Sequence, residues 1–187
     1  MSASPYRRFA DSLDRIDAVL READPAPFDI LAARIAARPR VFVTGSGRSG
    51  LAARAFAMRL AHLGIETHVA GETTTPPIGR GDVLVAVTGS GDTPSVVAHA
   101  RKAKEVGASV AAVTARPDSP MAELAEIVAE LNTPSKGGGD PEWGMIGYGG
   151  TLFERTAFLY LEALWEEVAE RLGLGPEDLA SRHANLE

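Results

Sequence analysis

The 187-residue sequence contains no cysteine. That absence excludes disulfide staples, thiolate metal sites and a cysteine nucleophile. No apolar run approaches the roughly 20 residues a membrane helix requires. The start, Met-Ser-Ala-Ser-Pro-Tyr-Arg-Arg, leads into a charged amphipathic stretch without the apolar core of a secretory signal. Basic residues are outnumbered 19 to 25, for a formal charge of -6, which argues against a nucleic-acid surface. What is present is ordinary for a globular domain, 45% hydrophobic and 24% charged. A chain of this length buries roughly 70% of its unfolded surface and needs no staple. The expectation is a single-domain, cytoplasmic α/β protein with no membrane or nucleic-acid partner.

Residues 5 to 37 read as two amphipathic helices broken at Asp24-Pro25-Ala26-Pro27. The first carries Phe9, Leu13, Ile16, Val19 and Leu20 at helical spacing, and the second carries Phe28, Ile30, Leu31 and Ile35. The pattern then changes. Short apolar runs at 41–43, 67–70, 82–87, 109–113 and 127–131 read as strands, with helices over 49–63, 93–106 and 151–172 and a short one after Ser119-Pro120. Strands alternating with helices imply parallel pairing through right-handed crossovers. The predicted fold is therefore α/β, a doubly wound, five-stranded parallel sheet flanked by helices. Residues 1–38 form a helical arm and 39–187 the main domain. Residues 132 to 150 are rich in Gly and Pro and read as a long loop.

One motif occurs twice: a strand, then Thr-Gly-Ser-Gly, then a helix, at Thr44 and at Thr88. The first copy, Gly45-Ser46-Gly47-Arg48-Ser49-Gly50, matches the dinucleotide fingerprint literally, with Glu72 ending the next strand. The second, Gly89-Ser90-Gly91-Asp92-Thr93-Pro94-Ser95, lacks the third glycine and offers hydroxyls instead. Free N–H groups at a helix start, together with Ser and Thr hydroxyls, suit one terminal phosphate. From the loops alone, a phosphate ester, a dinucleotide and plain tight turns all stay open.

Further residues narrow the choice. The first loop is followed by Ala57-Met58-Arg59-Leu60-Ala61-His62-Leu63-Gly64 and Gly71-Glu72-Thr73-Thr74-Thr75-Pro76, and the second by Gly150-Thr151-Leu152-Phe153-Glu154 and a final Arg182-His183-Ala184-Asn185-Leu186-Glu187. Together these resemble the sugar isomerase (SIS) family, and within it the 6-phospho-3-hexuloisomerases, over about residues 40 to 187. The resemblance implies a flavodoxin-type topology. It also implies cofactor-free and metal-free interconversion of 3-hexulose 6-phosphate and fructose 6-phosphate, serving formaldehyde fixation through the ribulose monophosphate pathway or pentose supply. It implies dimers or tetramers with active sites near subunit interfaces. One departure stands out: family members usually carry a Gln shortly before Gly-Thr-Leu-Phe-Glu, and residues 144–149 here contain none.

Moving a carbonyl between C3 and C2 needs a base that takes a proton from one carbon and returns it to the next. Glu154 is the candidate base by resemblance, although Thr151 and Glu154 also have the spacing of a helix capping box. Glu72 is a second catalytic candidate, at the end of a strand where open α/β sheets bind ligands. His183 is a third, near the C-terminus, because imidazole titrates near neutrality. Substrate-binding candidates are Ser46, Gly47, Arg48, Ser90, Gly91, Asp92, Thr93 and Ser95; helix capping or surface ion pairing is the alternative for their side chains. His62 and Trp143 have no assigned role. The competing functions are an isomerase of another phosphosugar (arabinose 5-phosphate or a heptose phosphate), a non-catalytic sugar-phosphate-binding module, and a nicotinamide-dependent enzyme.

Overall fold

The computed structural model describes residues 5–37, 39–134, 150–183 and 185. The apolar runs form the strands β1 (Val41–Gly45), β2 (Thr67–Val69), β3 (Val83–Val87), β4 (Ser109–Thr114) and β5 (Ile127–Glu130). They make one sheet of order β2-β1-β3-β4-β5 in which every pair is parallel. Register is set by aligned apolar residues, with Val43 opposite Val85 and Val85 opposite Ala111. β3, at the centre, is buried at all of its positions, as expected of a strand covered on both faces. This is the predicted doubly wound sheet.

The helices are α1 (Pro5–Glu22), α2 (Pro25–Ala36), α3 (Gly47–His62), α4 (Pro94–Glu105), α5 (Pro120–Leu124), α6 (Thr151–Arg171) and α7 (Pro176–Ala180). Side chains alternate across the sheet and so feed two cores. Val41, Val43, Val83, Val85 and Val87 pack with residues of α1, α2, α3 and α6, among them Phe56, Leu60, Leu161 and Leu164. Phe42, Leu84, Ala86 and Ala112 point the other way, onto Val96 and Ala100 of α4 and Met121 of α5.

The break between α1 and α2 has a local cause. Asp24 sits in the extended region as N-cap and accepts from the Ala26 N–H at 2.9 Å, with Pro25 as the first helical residue. Both helices lie on the main domain: Ile16, Val19, Leu31 and Ile35 join its core. The apolar stripe of α1 is longer than the surface that receives it. Phe9 and Leu13, expected on the same face as Ile16, remain 66% and 61% exposed.

Candidate active site

The chain leaves the sheet in opposite directions at β1 and β3, which are neighbours. Their carboxyl ends form the crevice where open α/β sheets place ligands. Both repeated Thr-Gly-Ser-Gly motifs are there. Thr44 and Thr88 are each 3% exposed, and Thr114, at the end of β4, is fully buried. Thr88 organises the second loop: its Oγ1 accepts from the Gly91 N–H at 3.2 Å and lies 3.4 Å from Thr93 Oγ1.

Two glycine requirements shape the loops. A Cβ on Gly45 would come within 2.9 Å of the Gly50 backbone, and one on Gly50 within 2.7 Å of the Gly45 carbonyl oxygen. The first turn of α3 therefore packs directly against the end of β1. Gly91 has φ +67°, and a Cβ there would lie 2.0 Å from Ser119 Oγ, so the second loop closes against the start of α5 only with glycine.

Ser46, Ser49, Thr88, Gly89, Ser90, Thr93, Pro134, Gly150, Phe153 and Glu154 line the crevice. Three of them are N-caps: Ser46 of α3, Thr93 of α4 and Gly150 of α6. Three helix starts thus converge on one small space, each contributing partial positive charge and free N–H groups. Neither Ser46 nor Thr93 turns its hydroxyl back to cap its own helix. Side-chain capping therefore does not hold for them; the Thr93 hydroxyl instead meets Thr88 Oγ1, and both residues line the crevice.

Glu154 is 8% exposed and is held in the α6 wall between buried Phe153 and the core residues Thr156 and Ala157. Its Oε2 accepts from Arg48 Nε. Because α6 begins at Thr151 with Gly150 as its N-cap, Glu154 is the fourth helical residue, not the third. The capping-box expectation fails for want of that register.

The other candidates separate. Ser90 lines the crevice, and Gly91 is buried beneath it. Gly47 is the exposed first residue of α3, with φ +58°. Arg48 is 62% exposed and outside the crevice lining; with Glu154 it lines an adjoining hollow beside Leu51, Phe158 and Leu159. Asp92 and Ser95 are exposed and outside the crevice lining. The charge of Asp92 acts on Arg116, whose pKa is raised first by its hydrogen bonds to Asp118; Asp118 is in turn held below the usual carboxylate range by Arg116. Glu72 is also outside the lining, half-exposed and paired with Arg54 of α3. His183 stacks on His62 at the far end of α3. Trp143 and residues 144–149, where family members usually carry the Gln, lie outside the described residues.

Sequence reasoning overlooked Ser49, Thr88 and Phe153. The signal for Thr88 was present, since it opens the second copy of the repeated motif just as Thr44 opens the first. Ser49 is buried on the inner side of the first turn of α3, and helical spacing alone could not reveal that face. A Cβ on Gly89 would lie 2.8 Å from the Phe153 ring, a long-range contact without a local signature.

Comparison with known proteins agrees with this architecture. The SIS domain profile matches residues 34–139. The chain is 42% identical to the 3-hexulose-6-phosphate isomerase of Mycobacterium gastri, over 93% of this chain and 87% of that protein. It is 38% identical to the protein of the same name from Bacillus subtilis, over 85% and 86% of the two chains. A solved structure from Methanococcus jannaschii, for which a 3-hexulose-6-phosphate isomerase function was inferred, aligns with a TM-score of 0.83 and 32% identity. That alignment covers 97% of this chain and 99% of the other.

Proposed function

The chain belongs to the SIS domain family, and from that premise we propose that it interconverts 3-hexulose 6-phosphate and fructose 6-phosphate. The observation that carries the chemistry is a buried carboxylate, Glu154, in the wall of a crevice ringed by hydroxyls and helix starts. The substrate phosphate sits among Ser46, Ser90, Thr93 and the N-termini of α3 and α4, where anionic charge is favoured. Glu154 takes the proton from C2 of the 3-ketose. The C3 carbonyl becomes a hydroxyl of a 2,3-enediol, and the proton returns to C3 as the C2 hydroxyl becomes the carbonyl. One proton has moved from C2 to C3 and one from O2 to O3, so the step consumes no oxidant or reductant. A positioned acid–base group contributes about 10²–10⁴ in rate.

The same reading includes an assembly in the cytoplasm. Leu51 of α3 and Phe158 and Leu159 of α6 stay exposed beside the site, and Phe9 and Leu13 of α1 are exposed as well. A symmetric homo-oligomer, most simply two dimers forming a tetramer, would cover them. Within the N-terminal arm, α1 extends this apolar surface through Phe9 and Leu13. The test is a coupled assay for fructose 6-phosphate formed from 3-hexulose 6-phosphate, with arabinose 5-phosphate as the comparison substrate. Turnover of the hexulose phosphate is expected. Turnover of the pentose phosphate alone would move the assignment to another phosphosugar.

A further inference from the structure

We propose that Arg48 is a positioning residue that aims the base, and not a ligand of the substrate. The inference rests on the reading of Glu154 as that base.

Two hollows meet at Glu154. One is the polar crevice. The other is an adjoining apolar hollow of about 450 Å³, walled by Ile16, Leu51, Ala52, Phe158 and Leu159 with Arg48 and Arg155. Among the described residues Glu154 is the one common to both linings, and Arg48 belongs to the apolar hollow alone. The guanidinium therefore meets the carboxylate from the apolar hollow and not from the crevice. Its Nε holds Oε2, and among the described residues no hydrogen bond to Oε1 is found, so that oxygen is left for the substrate.

This division of labour has a chemical reason. A glutamate side chain has several rotatable bonds, and misplacement of a reacting group by about 1 Å can cost about 10²-fold in rate. Anchoring one oxygen fixes the direction of the other. Within the single chain Arg48 is mostly exposed whereas Glu154 is buried, so the fold itself buries one charge of the pair and not two. During proton transfer the negative charge passes from the carboxylate to the enediolate oxygen. Arg48 keeps its hold on the carboxylate through that step, so the base is still in place to return the proton.

A substrate ligand and a positioning residue differ in which kinetic constant they move. Arg48→Met should lower kcat by about 10²-fold and leave KM within about twofold, as expected for an interaction that matters to the chemical step. Arg48→Lys should recover part of kcat, since it restores charge without the planar fork. Methylguanidine added to Arg48→Met should recover activity in a saturable manner. Melting temperature and circular dichroism of both variants establish that the fold is kept. A rise in KM larger than the fall in kcat would overturn the proposal in favour of substrate binding, and unchanged kcat and KM would overturn it in favour of an idle pair. Glu154→Gln, assayed in parallel, separates the two levels. If that variant is inactive while Arg48→Met is fully active, only the positioning role fails. If Glu154→Gln is fully active, the base assignment fails and the positioning role with it.

Discussion

The rings of His62 and His183 stack with centroids 4.9 Å apart and planes 28° from parallel. Arg182 adds a hydrogen bond to the His62 carbonyl at 3.3 Å. The C-terminal segment is thus tied to the end of α3 that is remote from the crevice. Arg48 is at the other end, fourteen residues earlier on the same helix, or about 21 Å at 1.5 Å per residue. His183 therefore cannot serve the Glu154 of its own chain while this contact lasts. If it has a catalytic role, that role is in the site of a second copy. An inactive His183→Ala protein mixed and reassembled with inactive Glu154→Gln should then regain part of the activity. Failure to regain any would remove His183 from catalysis.

The exposed apolar residues around the site predict self-association. Light scattering at micromolar concentration should give a mass above that of one 19.7 kDa chain. Phe158→Asp, which puts a charge on the α6 face, should shift the protein toward monomer and lower its activity. A monomeric parent protein would contradict the shared-site assembly.

Phosphate binding by the second loop predicts a binding effect without a folding effect. Ser90→Ala with Thr93→Ala should raise KM about 100-fold or more, because charge-assisted hydrogen bonds are each worth about 1.5–3 kcal/mol. Melting temperature should hold, since Thr93 does not cap its own helix. An unchanged KM would take the second loop out of the phosphate site.

Tyr160 predicts an effect on stability and its pH dependence. Its hydroxyl is buried with no hydrogen-bond partner among the described residues, while its ring meets Phe28 edge-on at 5.4 Å. Burial, with the charges of Asp24 and Asp29, pushes its pKa well above the ordinary 10.0. The folded state thus keeps the phenol neutral, and stability from this source is full below pH 10 and is lost as the unfolded chain ionises above it. Tyr160→Phe should keep or raise the melting temperature at pH 7, because an unpaired buried hydroxyl costs about 1–3 kcal/mol. Its stability should also fall less between pH 9 and pH 11. A loss of stability at pH 7 would mean that the hydroxyl has a partner after all.

The sheet was legible because each strand is a short apolar run ending in a polar turn, and the repeated Thr-Gly-Ser-Gly motif marked two neighbouring strand ends. The α1–α2 break was legible from Asp24-Pro25. The pairing of Arg48 with Glu154 was not, because the two are 106 residues apart and no local pattern specifies which cation meets a buried carboxylate. Glu72 was expected to face the crevice from its place at a strand end, but it pairs with Arg54 at the outer edge of α3. Thr151 and Glu154 have capping-box spacing by coincidence, since the start of α6 is set by Gly150 in a left-handed conformation.

If Glu154 moves a proton between C2 and C3 of a phosphorylated hexulose, solvent hydrogen enters the sugar at a defined carbon. Incubating the enzyme with fructose 6-phosphate in deuterium oxide and reading the position of the label by NMR tests it most directly. The wild-type protein should place deuterium at C3, and Glu154→Gln should slow that exchange by about 10²–10⁴-fold while still binding the sugar phosphate. Label at C1, or exchange at C3 in Glu154→Gln at the wild-type rate, would contradict the account.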